Sequence, residues 1–335
     1  MRRAMILLLA CAQLLVCAAC AEKKDGKTDK DADATPVRRI GVAIYDYQDS
    51  FMALYGDEIV SYFGSLSNES VRYEITVVDS RFDQMVQKKA VEGFIAQGVD
   101  AIILNLVTPS SAESIIDRVV SAKIPLVLIN REPVGTGEGY PGIVNNPLVC
   151  YVGADARQSG TFQGEIIRDL PNHGDVNGDG KVGYLMIEGD VENTDAQYRT
   201  QYSVKALTDA GIAVEELDSG IGDWKRERGQ EIAAIALARY GDAIEVVFSN
   251  NDSMALGAAV SIAGAERTVG KDIYLVGVDA LEECVSMVRE GTMTGTVRND
   301  YVGQSHKAVD VAIAAMSGEA IENYYWVDYV KITNE

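Results

Sequence analysis

The sequence predicts an α/β protein built as two doubly wound, parallel-sheet lobes. Three observations predict it. Short apolar runs rich in Val and Ile recur along the chain, amphipathic segments of helical period separate them, and 335 residues are long for a single core. Runs without a polar face are what parallel strands covered on both sides require. Alternation of strand and helix gives right-handed βαβ units, and hence doubly wound sheets.

In chain order the strand candidates are IGVAIY at 40–45, YEITVVD at 73–79, AIILNL at 101–106 and PLVLIN at 125–130. VGYLMIEG at 182–189, EVVFSN at 245–250, YLVGVD at 274–279 and GTVR at 295–298 complete them. Amphipathic helices are expected at 85–97, 112–122, 156–169 and 196–210. Polar residues gather where the strands end. Asp49 and Phe51 follow the first, Asn105 ends the third and Arg131 follows the fourth. Asn193, Asp195 and Arg199 follow the fifth, Asn251 the sixth and Asn299 the eighth, while Asp279 ends the seventh. Open α/β sheets bind ligands at these carboxyl ends. The same residue types also cap helices, as Asp49 would before a helix near Phe51, and Asn251 or Asp252 before the next.

The set suits a sugar. Carboxylates (Asp49, Asp195, Asp279) accept from hydroxyl pairs, amides (Asn105, Asn193, Asn251, Asn299) donate and accept, and Arg199 offers a planar fork. Phe51 and Trp224 supply flat apolar faces for the C–H sides of a pyranose.

A formal net charge of −20 repels nucleic acid and anionic headgroups, and 47% hydrophobic with 24% charged residues is globular composition. At the N-terminus, Arg2 and Arg3 precede an apolar run at 4–16 that is short for a membrane span. The run ends in Cys17-Ala18-Ala19-Cys20, which resembles the lipobox of bacterial lipoproteins and implies lipidation at Cys20. Plain cleavage near Ala19 is the alternative, and Cys11 is a competing cysteine. Residues 1–20 are thus expected to be a lipoprotein signal peptide. Residues 21–37, poor in bulky apolar side chains up to Pro36, are expected to be a tether. Cys150 and Cys284 read as buried small hydrophobes.

The segments IGVAIYDYQDSFM, AIILNLVTP, NREP, DVNGDGKVGYLMIEGD, TDAQYRT, IEVVFSNNDSMALGA, VGVDA and GTVRND resemble the bacterial galactose/glucose-binding periplasmic protein family over about 39–328. The resemblance implies a type I periplasmic-binding-protein fold whose chain crosses between lobes near Asn130, near Arg298–Asn299 and near Tyr329. The N-terminal lobe would be 38–130 with 299–328, and the C-terminal lobe 131–298 with 329–335. It implies that Asp49, Asn105, Asp195, Arg199, Asn251, Asp279 and Asn299 are polar sugar contacts and that Phe51 and Trp224 stack on the ring. Asn193 stands where the family commonly has His. The implied function is binding of glucose or galactose and delivery to an ABC-type permease from a periplasmic or cell-surface, lipid-anchored monomer. A chemotaxis receptor is a further family partner. The alternative within the class is ribose, xylose or a quorum-sensing furanosyl compound.

A second motif lies apart. Asp175-Val176-Asn177-Gly178-Asp179-Gly180-Lys181 follows the opening of an EF-hand loop, with oxygens at alternate positions suited to calcium and a backbone carbonyl from Lys181. Met186 occupies the place of the closing glutamate. By the resemblance Glu245 supplies that carboxylate, and Gly183 replaces a usual Gln. A metal-free surface turn is the other reading.

Two rivals of another class are weaker. A sugar-acting enzyme needs two carboxylates of separated pKa, and no such pair is marked, so no catalysis is expected. A transcription regulator of this fold carries a DNA-binding helical domain where this chain has its apolar run and tether.

Overall fold

The structure, a computed structural model, describes residues 35–133 and 139–334. Cys20 and residues 1–34, with the signal-peptide expectation and all but the last three residues of the expected tether, lie outside the described residues; Val37, the last of those three, opens the first strand. The first sheet is formed by β1 (Val37–Ile44), β2 (Arg72–Asp79), β3 (Ala101–Leu104), β4 (Leu126–Ile129) and β5 (Val149–Gly153). Between them run α1 (Ser50–Leu66), α2 (Gln84–Gln97), α3 (Ala112–Ser121) and the short α4 (Pro141–Val144). After α5 (Ala156–Arg168), the second sheet takes β6 (Val182–Glu188), β7 (Val214–Ile221), β8 (Val246–Ser249), β9 (Tyr274–Asp279) and β10 (Gly295–Arg298). Its helices are α6 (Thr194–Asp209), α7 (Arg226–Tyr240), α8 (Asp252–Gly264) and α9 (Glu282–Glu290). The chain ends with α10 (Tyr301–Met316), β11 (Tyr324–Trp326) and β12 (Val330–Ile332).

The sheet orders are β11-β5-β4-β3-β1-β2 and β12-β10-β9-β8-β6-β7. All pairings are parallel except β10 with β12. Central strands are buried along their length, as in β3 and β4, because helices cover both faces. Each such Ile, Leu or Val contributes about 1.5–3 kcal/mol on leaving water. The edge strands β2 and β7 are only partly covered, and their exposure varies along the strand.

The two sheets share one topology, so each has a switch point where the winding reverses, β1/β3 in the first and β6/β8 in the second. The chain passes between sheets after β5, after β10 and between β11 and β12. The first passage differs from the crossing expected near Asn130. β5 pairs with β4 in parallel, Leu126 opposite Val149, which keeps residues up to Gly153 with the first sheet. That strand has four apolar residues, Val149–Val152, after an irregular stretch, and its short run does not separate it from a loop in sequence. β7 was equally hidden, because Val-Glu-Glu-Leu-Asp-Ser-Gly-Ile lacks the apolar character of the interior strands. Cys150 and Cys284 are buried and unbridged.

Candidate functional site

The carboxyl ends of the two sheets face one cleft. Its lining comprises Tyr45, Asp49, Phe51, Asn130 and Arg131 from the first lobe and Asn193, Asp195, Arg199, Trp224, Asn251, Asp279 and Asn299 from the second lobe and its exit. Of the ten residues expected from sequence, only Asn105 stands outside that lining. It is fully buried behind it. Its Oδ1 accepts from Tyr45 N (3.2 Å), and its Nδ2 donates to Ile129 O (3.1 Å) and Asn130 Oδ1 (3.2 Å). Asn105 thus ties the ends of β1, β3 and β4 together.

Capping and lining are compatible roles. Asp49 Oδ1 caps α1, accepting from Phe51 N (2.9 Å) and Met52 N (3.2 Å), while Oδ2 accepts from the Tyr45 hydroxyl (2.5 Å). Asn193 caps α6 through Asp195 N (2.9 Å), and Asn251 caps α8 through Met254 N (3.0 Å). Each cap sits where a strand hands over to a helix, so the helix start aims the side chain at the cleft.

Arg199 is the hub of the second lobe. Its Nη1 donates to Asn250 O (2.8 Å) and its Nη2 to the Tyr329 hydroxyl (3.2 Å). Asp195 lies 3.6 Å and Asp279 4.0 Å away. Burial opposes its charge, but Tyr329, Asp279 and Asp195 together hold its pKa above the ordinary value. Burial pushes Asp195 up to about 6 despite Arg199 and Arg131, and pushes Asp279 and Asp49 up as well. Asp279 also accepts weakly from Asn299 Nδ2 (3.4 Å), whose Oδ1 accepts from Gln304 Nε2 (2.6 Å). Burial thus biases these acids toward their protonated forms, while Arg199 and the hydrogen bonds around them favour the charged ones.

Phe51 meets Tyr55 and Tyr301 edge-on at 6.0 and 6.4 Å and keeps a side on the cleft. The Trp224 indole lies on Gly189: a Cβ there would stand 2.2 Å from the ring, so only glycine admits this placement. Trp224 itself has φ +66° and is held through Asn251 Nδ2, which donates to its carbonyl (3.3 Å).

Sequence reasoning placed Arg131 at a strand end but gave it no role, and it passed over Tyr45. Arg131 Nη1 donates to Val107 O (2.9 Å) and to Asp190 Oδ2 (3.0 Å), and its guanidinium lies 3.7 Å over the Tyr45 ring. The usable signal was its position directly after β4, beside the Asn that ends the run. Four buried donors at the cleft, Arg131 Nε and Nη2, Arg199 Nε and Trp224 Nε1, have no partner among the described residues. Stranded buried donors are costly, so the cleft is built to receive acceptor oxygens. The space left between these side chains is narrow, about 20 Å3, and is partly open to solvent.

The acidic loop stands apart. Asp175 accepts from Gly178 N (2.7 Å) and Gly180 N (3.0 Å), Asn177 from Asp179 N (2.8 Å) and Asp179 from Lys181 N (3.1 Å). Glu245 Oε1 accepts from Val176 N (2.7 Å) and Asn177 N (2.8 Å), and Oε2 from Gly183 N (2.8 Å). Among the described residues no three His, Cys, Asp or Glu side chains gather closely enough to hold a metal as placed. The donor chemistry, hard oxygens at alternate positions plus one carboxylate, fits calcium.

A family profile described as "Periplasmic binding protein domain" matches residues 40–320. The chain is 34% identical over 297 residues to the D-galactose/methyl-galactoside binding periplasmic protein of Haemophilus influenzae, covering 86% of this chain and 85% of that one. It is 28% identical over 301 residues to a putative rhizopine-binding protein of Rhizobium meliloti, covering 90% and 91%. Among solved structures, an ABC transporter solute binding protein from Bacillus halodurans with bound myo-inositol superposes with a TM-score of 0.77 at 26% identity, covering 90% and 96%. With two six-stranded α/β lobes closing on one polar cleft, the chain belongs to the periplasmic binding protein family, a family of binders rather than enzymes.

Proposed function

We propose that this protein binds one monosaccharide, a hexose of the glucose or galactose kind, between its lobes and presents the closed form to an ABC-type permease. The observation that carries the reading is the lining itself. Carboxylates, amides and two guanidinium groups from both lobes surround a space bounded by Phe51 and Trp224, and four of the buried donors there await acceptors. A polyhydroxylated ring supplies such acceptors and also donors for Asp49, Asp195 and Asp279. A relative named for galactose and a structural neighbour holding myo-inositol support a six-membered ring. Lobes close by hinge motion at the three passages, and ligand contacts from both sides shift the population to the closed form. Export with lipidation at Cys20 would place the protein on the outer side of the cytoplasmic membrane.

Calcium is a separate part of the proposal, with a structural role. Asp175, Asn177, Asp179 and Glu245 would hold it through side chains and Lys181 through its carbonyl. The ion would stiffen the loop leading into β6.

Titration calorimetry of the protein with D-galactose, D-glucose, D-ribose and D-xylose tests the sugar assignment. A dissociation constant of roughly micromolar or tighter, about −8 kcal/mol, is expected for at least one hexose. Tighter binding of a pentose than of either hexose would move the assignment to that sugar. Absence of heat with all four would remove it.

A further inference from the structure

Behind the cleft lies a carboxylate that does not line it. Asp252 opens α8 and is fully buried. Its Oδ2 accepts from Leu281 N (2.8 Å), and its Oδ1 accepts from the Thr296 hydroxyl (2.7 Å). Thr296, on β10, in turn accepts from Ala280 N (3.3 Å). Directly and through Thr296, one carboxylate therefore holds the two peptide nitrogens that follow Asp279.

Those nitrogens belong to an unusual turn. Asp279 has φ +120° and Ala280 φ +55°, two consecutive non-glycine residues in the left-handed half of the map. Such backbone persists only where neighbours over-determine it, and it clusters at ligand sites. The sequence also makes room for the clamp: at Gly277 on β9 a Cβ would stand 2.2 Å from Asp252 Oδ1. Burial pushes Asp252 up to about 7, with Thr296, Leu281 N, Cys284 and Arg199 acting to lower it. Asp279 is the other acid near it, and the Asp252 charge helps to raise the Asp279 carboxyl.

We infer that Asp252 is a positioning residue of the sugar site. Its carboxylate clamps the Asp279–Ala280 turn through Leu281 and Thr296, and so fixes where the Asp279 carboxylate meets the ligand. This rests on Asp279 being a sugar contact. An amide at 252 has one acceptor oxygen. With that on Leu281 N, its NH2 faces the Thr296 hydroxyl, which must turn round to accept while still accepting from Ala280 N. Asp252→Asn therefore replaces a charge-assisted arm of the clamp by a weaker one without changing volume. Thr296→Val removes the bridge to Ala280.

The test is a double-mutant cycle on calorimetric affinity for D-galactose, or for D-glucose if that binds more tightly. It uses wild type, D252N, T296V, D279N and D252N/D279N. Expected are a rise in Kd of about 10-fold for D252N and a similar rise for T296V, each with the fold intact by circular dichroism. In the D279N background, adding D252N should change Kd less than about 2-fold, because the two act as one unit. A D252N effect that multiplies fully onto D279N overturns the inference, since a general structural role would do that. So does an unchanged Kd in D252N; if D252N does not fold, an unchanged Kd in T296V overturns it instead. An unchanged Kd in D279N alone shows instead that the sugar reading of the cleft is wrong, and the inference falls with it.

Discussion

Arg131 and Asp190 form a buried ion pair across the cleft, 3.0 Å between Nη1 and Oδ2, joining the end of β4 in one lobe to the loop after β6 in the other. The arginine is almost completely buried, stacked on Tyr45 and tied to Val107 O, so its position is fixed by the first lobe. Asp190 is then the second lobe's grip on it. Asp190→Ala would leave a buried guanidinium facing a lost partner only when the lobes are closed. Truncating one member of such a pair costs about 2–5 kcal/mol, so sugar affinity should fall roughly 30-fold or more. Calorimetry on the variant reads this. Unchanged affinity would mean that the pair does not discriminate between closed and open lobes.

Asp195 carries a pH signature. Its carboxyl is raised from the ordinary range to about 6, burial outweighing Arg199 and Arg131. A carboxyl raised on folding binds its proton more tightly in the folded state. Its contribution to stability is full below the unfolded pKa, near 3.8, and is lost as pH rises through about 6. Asp195→Asn should therefore gain stability relative to wild type between pH 4 and pH 7, by up to about 3 kcal/mol in order of magnitude, while losing sugar affinity. Thermal melts of both proteins across that range test it. A constant difference between them would contradict the assigned cause.

Tryptophan fluorescence separates the cleft from the rest of the surface. The chain has two tryptophans: Trp224 is 8% exposed in the cleft, and Trp326 is 47% exposed on β11. Sugar should change the emission of wild type and of Trp326→Phe alike, and should leave Trp224→Phe unresponsive. Trp224→Ala should also weaken binding by about 1–3 kcal/mol, because aromatic faces dominate contacts with apolar ring faces. A response that survives in Trp224→Phe would place the sugar elsewhere.

The acidic loop supplies a ligand test without sugar. If calcium binds only the folded protein, an excess of 100 times its Kd stabilises by ~2.7 kcal/mol. The melting temperature should then rise with calcium, fall with chelator and respond less in Asp179→Asn. No shift would mean that Glu245, accepting from Val176, Asn177 and Gly183, already completes the loop by itself.

How legible this was in sequence depended on burial. The interior strands β1, β3, β4, β6, β8 and β9 announce themselves because both faces are covered over most of their length, and there nearly every side chain is apolar. The polar residues at their ends marked the cleft for the same reason, since a polar side chain directly after such a run has only the sheet's rim to occupy. β7 and the three-residue β11 and β12 had no comparable signal. Asn105 had the right position and chemistry, yet its amide is consumed by three strand ends, a long-range arrangement that spacing along the chain does not encode. Arg131 was hidden for the same reason: its partner Asp190 is 59 residues away, in the loop after β6 of the other lobe.

A crystal structure grown with saturating D-galactose or D-glucose tests the central claim most directly. The account predicts one pyranose ring between the lobes, its faces against Phe51 and Trp224, with Asp195, Arg199 and Asp279 within hydrogen-bond reach of its oxygens. Sugar bound outside this cleft, or lobes closed on an unoccupied cleft at saturating sugar, would contradict it.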